Sequence, residues 1–320
     1  MKDALIALGM GGPDSLEAIK PFLYNLFSDR EIINFHIGPL QTPLAKLIAS
    51  SRSKKVAPEY LKMGLGGASP QNIYTKELLE KLSLEYTNRT GRNIDAYGAM
   101  CYYHPYISET VKKIKSANYR RLIILPLYPH YSSVTTGACF KKLQKDMSVL
   151  SDIAEDVKIL NHWYSNQSYT KCISSRILKA AEKIGKDISD CHIVFSAHSL
   201  PQFVEKSGDP YTAQIKAHAE LIINICNAKS YEISYQSKVG PVKWVGPSTI
   251  DVLNKIKENG INNVIVVPIS FISDHIETLI ELDEQLLPQI RAAGINIVRA
   301  ESLNSDDDFV KAMADIIIGE

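Results

Sequence analysis

Residues 264–285 read VIVVPISFISDHIETLIELDEQ, and four side chains in this stretch could do chemistry together. Asp274, His275, Glu277 and Glu281 follow closely on an apolar strand that runs to Pro268. On an α-helix, positions 274, 277, 281 and 284 share one side, while Ile276, Leu279, Ile280, Leu286, Leu287 and Ile290 favour the other. Carboxylates at i,i+4 repel one another by a few tenths of a kcal/mol. A row of them headed by a histidine therefore suggests a path for protons or cations. The plain alternative is an ordinary helix start. Asp274-x-x-Glu277 fits an N-cap with an acid at N3, and first-turn acids complement the helix dipole. The segment by itself leaves both readings open.

Such residues need elements to hold them. Strands followed by helices recur along the chain, which predicts parallel α/β architecture. The first half offers strands at 4–8, 94–100 and 121–128, and the second at 192–197, 231–236 and 263–270. Helices beginning near Thr110 and Thr249 precede LIILP and VIVVP respectively. The repeated order predicts two Rossmann-like lobes with parallel sheets, 1–150 and 151–300, with a helix in 301–320 (DDDFVKAMADIII) packing back on the first lobe. Unusual loops follow three strands: Gly11-Gly12-Pro13, His198-Ser199-Leu200-Pro201 and 273–277. Ligands of open α/β sheets bind at the carboxyl ends of strands, so these loops predict a cleft between the lobes.

The chain has 320 residues, 45% hydrophobic and 22% charged, with a net charge of +1, which gives no electrostatic case for nucleic acid. Its five cysteines (101, 139, 172, 191, 226) form no CxxC pair. That pattern argues for a reducing compartment and against a disulfide frame or a cysteine-ligated metal. MKDALIALGMGGPDS reads as a strand and turn rather than a signal peptide, and no apolar run reaches the ~18 residues of a membrane span. A cytoplasmic location is expected. GMGGPD lacks the G-x-G-x-x-G spacing, which removes a dinucleotide-binding reading.

FSAHSLP (195–201), GDPY (208–211), YQSKVGPVKWVGPST (235–249) and ISDHIETLIELD (272–283) resemble ferrochelatases of the protoporphyrin type. GGPDSLEAIKPFLYNLFSDREII (11–33) and LPLYPHYSSVTTG (125–137) match the same family, so the resemblance spans about 4–315. It implies a class II chelatase-like fold, and insertion of ferrous iron into protoporphyrin IX to give protohaem, the last step of haem biosynthesis. Two pyrrole N–H protons must leave as the cation enters. An imidazole, with an ordinary pKa of about 6.5, can accept one at neutral pH. By the resemblance, His198 takes that role with Glu277 opposite, and the two are the expected metal ligands, a donor set suited to a divalent first-row metal. Asp274, His275 and Glu281 would support them and lead protons or metal away. Met10 matches a pocket-lining position. Arg52, Lys55, Tyr60 and Ser69 match positions at the propionates or the pocket mouth, where cations suit carboxylates. Tyr128, Tyr131 and Trp244 would supply flat walls, although each also suits a plain core role.

The resemblance implies no cofactor beyond the substrate Fe2+. A chain ending ADIIIGE lacks the clustered cysteines of a [2Fe–2S] centre. In the family, the region of FHIGPLQTPLAKLIASSR (35–52) forms a lip, which leaves peripheral membrane contact open; monomer and homodimer are not separated. The chain departs from the family pattern at Gly9, where Asn is usual, and at Cys101, where Arg is usual. GLGGASP is longer than the usual glycine run, and Gln285 stands where a third carboxylate is usual. Rival readings are an iron chelatase for coproporphyrin III, a cobalt chelatase for corrinoid precursors, and a non-catalytic tetrapyrrole carrier. Product formation from free metal and porphyrin excludes the carrier.

Overall fold

The computed structural model describes residues 1–33, 37–238 and 242–319. Phe35 and His36 of the expected lip, and 239–241 of the VGP run, lie outside the described residues. The chain divides into two units, Met1–His162 with Ser305–Glu320, and Trp163–Asn304.

The first unit holds β1 (Lys2–Gly9), β2 (Ile94–Met100), β3 (Tyr119–Pro126) and β4 (Ala154–Ile159) in the order β2-β1-β3-β4. The second holds β5 (His192–His198), β6 (Ser230–Gln236), β7 (Asn263–Val267) and β8 (Asn296–Arg299) in the order β6-β5-β7-β8. All pairings are parallel. The two orders are the same topology, with the central strand first in each unit. In each, the switch point falls between the central strand and the third.

The central strands are buried on both faces, as parallel sheets covered by helices require. Residues 4–8 of β1 and 193–197 of β5 are each at or near complete burial. The edge strands β4 and β8, absent from the sequence reading, are polar or short. AEDVKI has no buried residue, and NIVR has only four residues. Helix Asp307–Ile318 buries Phe309, Met313 and Ile317 and packs against helix Pro70–Thr90 within the first unit. Lys81–Asp307 and Arg89–Asp315 ion pairs fasten it there.

The acidic segment winds differently from the sequence expectation. Glu277–Leu286 is a π-helix, closed by i→i+5 hydrogen bonds rather than the α-helix's i→i+4. Wider winding keeps residues four apart nearly stacked but carries residues seven apart to opposite sides. Glu277 and Glu281 therefore stay in register, while Glu284 leaves the row that α-helical spacing assigned to it. The N-cap residue is Ile276, with no side-chain cap, so Asp274 does not begin this helix as a capping acid.

Candidate active site

His198 is the last residue of β5. Its backbone N–H donates to Ser270 Oγ at 2.9 Å, just past β7, and its carbonyl accepts from Tyr211 Oη at 3.1 Å. The ring is fixed by a 2.7 Å contact between Nδ1 and the Ser199 carbonyl oxygen. A carbonyl can only accept, so Nδ1 carries the hydrogen and the neutral ring presents a lone pair at Nε2. Phe271 lies edge-on to the imidazole with centroids 6.2 Å apart, and its other neighbour is His275 at 4.3 Å.

His275 repeats this arrangement in a more buried setting. Its Nδ1 lies 3.0 Å from the Ser273 carbonyl oxygen, and Nε2 lies 3.0 Å from Glu277 Oε2. With Nδ1–H donating to the carbonyl, the contact with Glu277 holds only when a proton lies between the two. Without it, two lone pairs face each other.

Gln236 ties this group to β5. It is the register partner of His198, its carbonyl accepts from Ser199 N at 2.9 Å, and its Nε2 donates to the Glu277 carbonyl at 3.0 Å. The next residue, Ser237, sits at φ +66°, a left-handed conformation uncommon for a side chain with Cβ. That backbone lets Ser237 donate both its N–H, at 2.9 Å, and its hydroxyl to the two oxygens of Glu281. Gln236 and Ser237 were not singled out from the sequence, although they open the motif YQSKVGPVKW.

Asp274 is held otherwise. Its carboxylate accepts from Ser302 Oγ (2.7 Å), Thr278 Oγ1 (3.1 Å), Asn304 Nδ2 (3.1 Å) and Arg299 Nη1 (3.1 Å). Arg299, the last residue of β8, also forks onto Asp283 in the π-helix at 2.8–3.0 Å. Burial alone would raise the Asp274 carboxyl, but the Arg299 guanidinium and the three polar donors hold it below the ordinary carboxylate range. Burial likewise works against the Arg299 charge, and Asp283 and Asp274 raise it above its usual value. Arg299 thus ties the segment ahead of the π-helix to the helix itself.

The first unit carries most of the expected binding residues. Met10 N donates to Tyr128 Oη at 2.7 Å, joining the loops after β1 and β3. Ser69 is buried beside Gly12, and its N–H donates to the Pro13 carbonyl at 2.8 Å. Tyr131 turns its hydroxyl toward Gly137. Arg52 lies over the Phe27 ring at 5.6 Å, Lys55 is exposed and Tyr60 is buried. Helix Gln41–Lys62 leaves Leu47 and Leu61 exposed, with Leu40 just before it. No helix among the described residues is long and apolar enough to cross a membrane. In the second unit, Trp244 is half-buried and bridges to Pro201, the last residue of SAHSLP. Structure therefore brings His198, His275, Glu277 and Glu281 into one linked group, joins Met10 to Tyr128, and places Asp274 in the Arg299 clamp.

Comparison with known proteins bears on this geometry. A sequence model of the family described as Ferrochelatase matches residues 2–320. A protein named Ferrochelatase from Gloeobacter violaceus is 38% identical over 318 residues, covering 98% of this chain and 96% of its own length. Another of that name from Aquifex aeolicus is 37% identical over 321 residues, covering 100% of both chains. Among solved structures, SirB from Bacillus subtilis with Fe3+ shares the fold at a TM-score of 0.57 and 12% identity, covering 100% of this chain and 95% of that one. CbiX, described as the terminal enzyme for biosynthesis of sirohaem in denitrifying bacteria, aligns at a TM-score of 0.51 and 12% identity, covering 100% and 99%.

Proposed function

Because the chain belongs to the ferrochelatase family, an enzyme family that inserts iron into a porphyrin in haem biosynthesis, we propose that its substrate is protoporphyrin IX and that His198 and Glu277 carry the reaction. The observation that supports this most is the tautomer lock on His198. With Nδ1–H committed to the Ser199 carbonyl, the Nε2 lone pair is the one free to take a pyrrole proton or to meet the metal.

The balance of the reaction sets the task. A neutral porphyrin gives up two N–H protons and gains one Fe2+, so the protein must accept two protons while the ring nitrogens turn their lone pairs to the cation. His198 Nε2 takes one. Glu277 takes the other, and the proton closes its contact with His275; release of that proton reopens the contact and frees the carboxylate for another cycle. Glu281, held by Ser237, is the next acceptor along the π-helix. Asp274 acts through position: it fixes the turn that carries His275.

Around the ring, Met10, Tyr128, Tyr131 and Trp244 offer apolar surface to the macrocycle. Arg52 and Lys55 meet its propionates, with Tyr60 and Ser69 at the mouth. Bidentate pairing by Arg favours planar carboxylates.

The test is an anaerobic ferrous insertion assay in which protoporphyrin IX and coproporphyrin III compete. Preference for protoporphyrin IX is expected; preference for coproporphyrin III would overturn the substrate assignment while leaving the chemistry standing. His198→Ala that keeps near-normal turnover would overturn the residue assignment.

A further inference from the structure

Two of the five cysteines are neighbours in space. Cys101 Sγ lies 3.0 Å from Cys139 Sγ, inside ordinary contact distance for two sulfurs, although the residues are 38 apart in sequence. Both are buried, Cys101 at 7% exposure and Cys139 at 0%. Neither takes part in the metal-insertion chemistry above. Their surroundings are particular. Cys101 follows β2 directly, and its N–H donates to the Gly9 carbonyl at 2.9 Å, while Tyr102 N–H donates to the Met10 carbonyl at 3.0 Å. Cys139 lies in helix Thr136–Gln144, and its Sγ points to the same Gly9 carbonyl at 3.7 Å. The sulfur pair therefore bridges β2's end and that helix across the turn that carries Met10.

We propose that Cys101 and Cys139 form a reversible oxidation site, a dithiol that hydrogen peroxide converts to a disulfide. Disulfide bonds need sulfurs about 2.05 Å apart, so closure asks for a movement of only about 1 Å. Cys101, the less buried sulfur, reacts first. Its thiolate attacks one peroxide oxygen, the O–O bond breaks, and the departing hydroxide takes a proton to leave as water, which gives a sulfenic acid. The Cys139 sulfur then attacks Cys101 Sγ, the S–O bond breaks, and a second water leaves as the S–S bond forms. In total, two thiols and one peroxide give one disulfide and two waters. The hydrogen bond with Cys101, and after it burial, raises the Cys139 thiol well above its ordinary value, so Cys139 waits as a thiol until its neighbour has become electrophilic. In the oxidised chain the end of β2 is joined covalently to helix Thr136–Gln144, beside the turn after β1. This site is independent of which porphyrin the enzyme takes.

The experiment treats the full chain with hydrogen peroxide, alkylates the remaining thiols and maps the peptides by mass spectrometry. A peptide pair linked through Cys101 and Cys139, lighter by two hydrogens and released by dithiothreitol, is expected, together with a raised melting temperature of the oxidised chain. In Cys139→Ser, the sulfenic acid has no partner, so a dimedone adduct should accumulate on Cys101 and the rise in melting temperature should vanish. Recovery of Cys101 and Cys139 as separate alkylated peptides after peroxide treatment, or linkage of either one to Cys172, Cys191 or Cys226 instead, overturns the proposal. Absence of the dimedone adduct in Cys139→Ser overturns the order of the steps.

Discussion

The two units carry the same four-stranded sheet and furnish its equivalent corner with different side chains. Gly9 and His198 both end the central strand, and their register partners are Met100 and Gln236. Each corner also ties the central strand to the loop after the third strand by one backbone N–H to hydroxyl bond, Met10 to Tyr128 in one unit and His198 to Ser270 in the other. The frame is shared; the side chains are not. At the first corner stand Gly9, Met10, Met100 and Cys101, which are small or soft and build a surface. At the second stand His198, Gln236 and Ser237, which can exchange protons and hold carboxylates. The helices that follow β3 and β7 diverge too: Thr136–Gln144 is an α-helix and Glu277–Leu286 a π-helix. Topology supplies a place for a ligand, and residue type decides whether that place does chemistry.

On that contrast, removing the imidazole that ends β5 should have the largest effect. His198→Ala is expected to cut ferrous insertion by ~10²–10⁴-fold, the usual contribution of a positioned acid–base group, with an unchanged circular dichroism spectrum. Next comes the clamp on the π-helix, which has no described match at the first corner. Arg299→Ala strands Asp274 and Asp283, and losing one partner of a buried ion pair costs ~3–5 kcal/mol. Urea unfolding should show that loss, and a change below ~1 kcal/mol would mean the clamp is dispensable.

The first corner should respond through packing instead. A Cβ at Gly9 would lie 3.1 Å from Met100 Sδ and 3.3 Å from Leu127 Cδ1. Gly9→Ala should therefore cost ~1–3 kcal/mol by overpacking, read as a lower denaturation midpoint. An equally large drop in insertion rate at unchanged stability would show that this corner also takes part in chemistry.

The effect that is smallest at neutral pH, because it appears only on acidification, lies in the second unit. His218 is wholly buried between helices Gln167–Lys183 and Tyr211–Cys226, stacked on Tyr169, and burial pushes its pKa down to about 3. The unfolded chain binds a proton below about 6.5 that the folded chain refuses until about 3. Stability conferred by the neutral ring is thus present above about 6.5 and falls by about 1.4 kcal/mol per pH unit beneath it. His218→Leu should shallow this acid limb in a pH series of urea titrations, and an unaltered slope would place the acid sensitivity elsewhere.

Much of this contrast was legible in the sequence, because buried parallel strands read as apolar runs and strand-end loops read as polar interruptions. Six of the eight strands, β1 to β3 and β5 to β7, and both corners emerged that way. β4 and β8 did not: one is as polar as a loop and the other too short to show a period. The π-helix was hidden because α and π winding both keep Glu277 near Glu281, and only the place of Glu284 tells them apart. Asp274 looked like a cap, since Arg299 is its partner from 25 residues away and no local pattern points to it. Ser237 depends on a left-handed backbone, which sequence rarely marks outside glycine.

Helix Asp307–Ile318 returns to the unit in which the chain began. The second unit is continuous in sequence, whereas the first stays incomplete until Ser305–Glu320 has joined it. Until that helix is in place, the side chains of Pro70–Thr90 that it covers remain open to water. Chaperone dependence should then follow residues Ser305–Glu320 more closely than any other stretch of similar length.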